Sequence, residues 1–190
     1  MTETTGEGAS RQSGSRQDGS RRAPRPITPS YLQRAALHYL HRYAASSSQL
    51  QRVLQRKVER SCRHYDRDPG DFHAMVAEAV AACVASGLVD DRRFAEMRTK
   101  SLRRKGRSAR AVSAGLAAKG IAREIVAATL PDSEEDELAA ARIAARRKRL
   151  GPWSRAGREQ DRQKQLATLA RAGFSMKIAR AVIDGAGEES

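Results

Sequence analysis

Read for the spacing of its apolar positions, the chain from about residue 30 onward falls into helical stripes. "YLQRAALHYLHRY" sets Leu32, Ala36, Leu37, Leu40 and Tyr43 at the three- and four-residue steps of one helix face, with Ser30 as its predicted cap. "SSSQLQRVLQRKVERSCRHY" opens on serines and carries Leu50, Val53, Leu54 and Val58 at the same steps. After the break "DRDPGD", the segment "DFHAMVAEAVAACVASG" places Phe72, Met75, Val76, Val80 and Val84 on a stripe that stops at Gly87, a C-cap glycine. A fourth helix is predicted from Asp90-Asp91 to Gly106, and a fifth from Ser108 through Val112 and Leu116 to Lys119-Gly120. "AREIVAATL" ends before Pro131. Ser133 then caps "EEDELAAARIAARRKRL", whose acids lie in the first turn and bases in the last, the order that complements a helix dipole. Gly151-Pro152 ends it, another helix runs to about Ala172, and "SMKIARAVID" follows the turn "AGF".

Nine predicted helices form three groups of three, and the groups resemble one another. At an offset of 62, Leu40, Ser46, Leu50, Leu54 and Lys57 match Leu102, Ser108, Val112, Leu116 and Lys119. At an offset of 53, Leu116, Gly120, Ile121, Ile125 and Leu130 match Leu169, Gly173, Phe174, Ile178 and Ile183. Serine entry, glycine exit and ordered apolar steps recur, which is the signature of a repeat protein. The expected fold is all-α, an elongated array of three tandem three-helix repeats, because so small a unit needs its neighbours for stability. Expected boundaries are 30–89, 90–131 and 132–190, with residues 61–74 enlarging the first repeat. Residues 1–29, rich in Gly, Ser, Thr, Gln, Arg and Pro, are expected to be a disordered tail.

Composition agrees with helices: aromatic residues make up only 4 % of the chain. No apolar run approaches the roughly 20 residues that span a bilayer, and the N-terminal stretch lacks a signal-peptide core, so a cytoplasmic protein is expected; it is also expected to be a monomer. The two cysteines, Cys62 and Cys83, are then expected to be reduced. With His64 and His73 they match no zinc spacing well. Walker A, GxGxxG, HExxH and GxSxG motifs are absent. His38 and His41 are read as surface or packing residues, and Asp90-Asp91 as helix cap and first-turn anion. No enzyme activity, cofactor or metal is expected.

Charge adds the functional signal. Of the net +14, residues 91–130 supply +8, eleven Lys or Arg against three acids. Arg103, Arg104, Lys105, Arg107 and Arg110 have no acid within four positions, the spacing at which helix surfaces usually balance charge. Three readings are open: a solvated face, DNA binding through a helix-turn-helix unit, or a dock for an acidic protein groove or protein–nucleic-acid filament. Base-reading side chains and stacking aromatics are scarce, which disfavours sequence-specific readout but leaves phosphate contact available.

"GLVDDRRFAEMRTKSLRRKGRSARAVSAGLAAKGIAREIVAATL" resembles the central repeat of the RecX family of recombination regulators. The likeness rests on Leu88, Val89, Asp90 and Asp91, on Phe94-Ala95, on the basic helix to Gly106, and on Leu116 and Lys119-Gly120-Ile121. "AALHYLHRYAASSSQLQRVLQRKV" and, more loosely, "LARAGFSMKIARAVI" extend it over about residues 31–184. Arg98 stands where an apolar residue is the commoner choice, and Leu102 where an arginine is. The resemblance implies a modular helical protein that binds RecA recombinase filaments on single-stranded DNA. It further implies modulation, usually inhibition, of strand exchange, ATP hydrolysis and co-protease activity, and so of the SOS response and DNA repair. The residues expected to make contact are Arg92, Arg93, Lys100, Arg103, Arg104, Lys105, Arg107 and Arg110. The alternative is a DNA-binding regulator that uses its three-helix modules without RecA.

Overall fold

The computed structural model describes residues 23–130, 133–154 and 161–185. Among them are nine α-helices and no strand. In chain order these are α1 Pro29–Leu40, α2 Ser47–Tyr65, α3 His73–Ala85, α4 Asp91–Arg103, α5 Ala109–Ala117, α6 Arg123–Thr129, α7 Glu134–Lys148, α8 Arg162–Arg171 and α9 Met176–Asp184. Extensive helix–helix packing occurs only inside α1–α3, α4–α6 and α7–α9. Three separate cores result. The first is built on Leu32, Leu50, Leu54, Val58 and Val76, the second on Val112, Leu116, Ile121 and Val126, and the third on Leu166, Leu169, Phe174 and Ile178 against the alanine face of α7.

The first triplet departs from expectation at its entrance. Residues 1–22 of the expected tail lie outside the described residues, but its last stretch is packed against the protein. Ile27, the tail's one large aliphatic side chain, is buried against a core that includes Cys62 and Phe72. Ser61 Oγ donates to Arg25 O at 2.9 Å, and Tyr65 Oη donates to Pro24 O at 2.8 Å. The enlarged segment 61–74 supplies this seat. Burying one isoleucine is worth roughly 1.5–3 kcal/mol, enough with two hydrogen bonds to offset ordering of a few residues. The cap of α1 also moves: Thr28, not Ser30, accepts from Tyr31 N, and Pro29 takes the first helical position, where its missing N–H is harmless. Leu37, Tyr43 and Val84, placed on core stripes by their spacing, are 44 %, 57 % and 47 % exposed. The helix α1 stops at Leu40, before Tyr43.

Neighbouring triplets meet at two joints of the same design. In the first, Ser46 caps α2 by accepting from Gln49 N at 3.1 Å and donates to Lys119 O, just past the end of α5, at 2.6 Å. In the second, Ser108 caps α5 by accepting from Ala111 N at 3.2 Å and donates to Ala172 O, just past the end of α8, at 2.7 Å. Both serines are fully buried. Among the common capping groups only a hydroxyl has a proton to give and lone pairs to accept with on the same atom, so one oxygen closes its own helix and grips the next triplet. The carbonyl it grips precedes Gly120 at the first joint and Gly173 at the second, both at positive φ. At Gly173 (φ +95°) an added Cβ would lie 2.5 Å from Ser108 Oγ, so a bare backbone is needed for the approach as well as for the turn.

A carboxylate completes each joint. Asp91 accepts from Ser47 N at 2.8 Å and from Ser47 Oγ at 2.6 Å, while Asp90 alone caps α4. Asp91 is the first-turn anion of its own helix that the spacing predicts, and it serves the helix of the preceding triplet as well. Glu137, from α7, takes the corresponding place and accepts from Ala109 N at 3.1 Å. The first free N–H of α2 and of α5 is thereby closed by the triplet that follows.

Two substitutions separate capping from joining. Ser175 is exposed and caps α9 by accepting from Ile178 N, so Ser175→Ala measures a cap alone, about 1 kcal/mol. Ser108→Ala also leaves Ala172 O without its donor, so it should cost about 1–3 kcal/mol more in urea unfolding. Equal losses in the two variants would contradict the joint. Gly173→Ala should cost at least about 1–2 kcal/mol from the left-handed backbone alone, read from the same unfolding curves.

Candidate partner interface

The basic residues of the second triplet are displayed mainly from α4 and the turn after it. Asp90 starts α4, Ala95 and the half-buried Phe94 and Leu102 hold it on the core, and Gly106 (φ +73°) ends the turn. Leu102, where an arginine was the commoner choice, packs on that core, and Arg98 is exposed beside Phe94 and Met97 in the crevice against the first triplet. With the apolar side directed inward, Arg92, Arg93, Lys100, Arg104, Lys105, Arg107 and Arg110 are all exposed.

Arg103 is different. It was expected to be unneutralised because no acid lies within four positions, yet it is only 12 % exposed and pairs with Glu137 at 2.5 Å. It also donates to Arg107 O at 2.9 Å and Asp136 O at 2.5 Å. The acid comes from 34 residues along the chain, beyond any helical-spacing rule. Arg103 therefore braces the second joint, and Glu137 is held between its guanidinium and Ala109 N. Arg92 pairs with Glu96 at 3.4 Å, but both side chains are well exposed and such a pair contributes only about 0.3–0.5 kcal/mol. The other nine Lys and Arg of residues 91–130 form no ion pair among the described residues.

Lys100 and Arg104 rim an open cleft of about 460 Å³ between α4 and α7. Leu130, Ala139, Ala140 and the 37 %-exposed Ile143 line it on the apolar side. Glu96 and Asp136 line it as well, so its rim carries both signs of charge over the apolar floor.

Among the described residues no three metal-ligand side chains cluster. Cys62 and Cys83 are unbridged core residues, and burial raises the Cys83 thiol above its usual pKa, which keeps it protonated. His64 and His73 point to the surface. No helix among the described residues is long and apolar enough to cross a membrane.

Spacing did not reveal two further sets of residues. Ser47 and Asp91 meet only across triplets, though the "SSS" and "DD" pairs at helix starts signalled that more than one capping group was present. Arg147 and Lys148, read as bases completing the dipole of α7, are brought beside Lys105 and Arg107.

The family description "RecX, second three-helix domain" matches residues 90–130. The regulatory protein RecX of Myxococcus xanthus is 50 % identical over 168 residues, covering 85 % of this chain and 88 % of that protein. The regulatory protein RecX of Agrobacterium fabrum is 31 % identical over 176 residues, covering 91 % and 94 %. The crystal structure of RecX from Lactobacillus salivarius superposes with a TM-score of 0.61 at 19 % identity, over 82 % of this chain and 94 % of that one, which shows the shared helical fold. The resemblance of the central repeat thus extends over most of the molecule, and the chain belongs to the RecX family of regulatory proteins.

Proposed function

We propose that the protein is a non-enzymatic, monomeric cytoplasmic regulator that binds RecA filaments on single-stranded DNA and inhibits their strand-exchange, ATPase and co-protease activities. The observation that carries this reading is the set of exposed cations on the second triplet, of which only Arg92 pairs with a carboxylate among the described residues. Membership of a family of regulatory proteins supports the same reading. The contact set is Arg92, Arg93, Lys100, Arg104, Lys105, Arg107 and Arg110. Arg103 is left out because its charge is spent at the second joint.

Binding of this kind sums many modest contacts. An exposed charge pair contributes up to about 1 kcal/mol, so no one arginine dominates, while the summed field steers encounter with an acidic polymer. The three triplets supply reach. A ligand that touches more than one protomer couples them, and opposes the relative motion that ATP turnover between protomers requires. This account needs the joints to hold, since triplets that swing freely would contact protomers independently and lose the gain from linkage.

Reversal of two rim charges tests the site without disturbing a joint. Lys100→Glu with Arg104→Glu should raise the concentration for half-inhibition of RecA's DNA-dependent ATPase by about tenfold or more, two pairs at roughly 1 kcal/mol each, with helicity unchanged by circular dichroism. Unaltered inhibition would move the site elsewhere. Wild-type protein should also bind a RecA–DNA filament more tightly than bare single-stranded DNA at physiological salt. Equal affinities with steep salt dependence would favour the RecA-independent DNA binder.

A further inference from the structure

A second concentration of positive charge lies where the second and third triplets meet. The last turn of α7 carries Arg147 and Lys148 to the turn after α4, which carries Lys105 and Arg107. With Gly106, Ala144 and Ala172 these four line an open crevice of about 430 Å³. Its walls are fixed. Arg147 donates to Lys105 O at 2.8 Å, and a Cβ on Gly106 would come within 2.7 Å of Ala144 N, so the turn rests directly on the α7 backbone. Among the described residues no carboxylate lines the crevice and none of the four cations forms an ion pair. Glu137, the acid of this joint, is held by Arg103 and Ala109 N.

The ordinary account is that bases at helix ends offset the dipole. Three helices, α4, α7 and α8, do end beside the crevice. Each terminus carries only about half a negative charge, so the three together leave more than two of the four positive charges without compensation. Like charges gathered across an interface oppose the packing of that interface, and a bound anion relieves the opposition.

We propose that this crevice seats a phosphodiester group of single-stranded DNA, which extends the proposed filament reading and rests on it. The lining chooses phosphate over peptide. Two guanidiniums and two ammoniums offer many donors to a tetrahedral anion, guanidinium pairing with phosphate oxygens two at a time. The rest of the lining is glycine and alanine, with no apolar pocket for a peptide side chain and no aromatic ring for a base. Such a site reads backbone and not sequence. Arg110 lies alongside, its Cβ within 3.5 Å of where a Cβ on Gly173 would be, and continues the positive surface toward α5.

The test uses the full chain and a fluorescein-labelled oligothymidylate, followed by anisotropy across a salt series. Arg107→Ser with Lys148→Ser removes two exposed charges that make no side-chain contact across the joint, and Arg34→Ser with Arg56→Ser, on the first triplet, removes the same charge elsewhere. Each phosphate neutralised on a single strand contributes about 0.7 to the slope of log affinity against log salt, so the crevice variant should lose about 1.4 of slope and bind roughly ten- to thirtyfold more weakly at about 0.1 M salt. The first-triplet control should stay within about twofold. Wild-type slope and affinity in the crevice variant would overturn the proposal. So would a variant that keeps its oligothymidylate affinity but loses binding to the RecA filament, which would assign the crevice to an acidic protein surface. Absence of RecA inhibition by the wild type would remove the filament reading, and the oligothymidylate comparison would still decide the crevice.

Discussion

A buried serine hydroxyl that gives and accepts at once is the interaction on which the architecture depends. Ser46 and Ser108 each stop a helix from fraying and each draw a carbonyl of the following triplet into contact. Without that link the middle triplet would rest on a core with four large buried side chains, too few to expect independent stability. The array is a chain of small cores made stable by the seams between them, and those seams are polar. At the two serine joints each hydroxyl, carboxylate and N–H named has a partner, which is the condition under which buried polar groups help a structure instead of harming it; the buried Thr99 hydroxyl beside the α4–α7 cleft has none among the described residues.

Polar seams also decide which charges remain for a partner. Glu137 takes up Arg103 and the N–H of Ala109, and Asp91 takes up Ser47. Two acids near the basic triplet are thus committed to holding it in place, and of the cations around them only Arg103 pairs with either.

Helical spacing made much of this legible. The offsets of 62 and 53 aligned Ser46 with Ser108 and Gly120 with Gly173, the residues that turn out to form the joints, and the charge count located the basic triplet. Leu32, Leu50, Leu116 and Leu169 are buried as their stripes require. Failures came where a partner lies far along the chain. Rules of three and four residues describe one helix surface and are blind to Glu137 reaching Arg103, or to Arg147 arriving at Lys105. Ile27 was lost for a related reason. A lone aliphatic residue in a polar stretch has no periodicity, and its seat depends on Cys62 and Phe72 from the enlarged connection. Leu37 failed in the opposite sense, since a stripe wider than the core it faces leaves its margin in solvent, and Tyr43 because α1 ends before it.

The two joints share a pivot but not a stay. Both turn about a serine hydroxyl set against a backbone carbonyl, yet the first is tethered by a short aspartate from the opening position of α4, the second by a longer glutamate one turn into α7. Shape along the array can therefore be trimmed seam by seam, through the length and origin of an acidic side chain, while the pivot stays untouched. Curvature in such a molecule is inherited separately from fold.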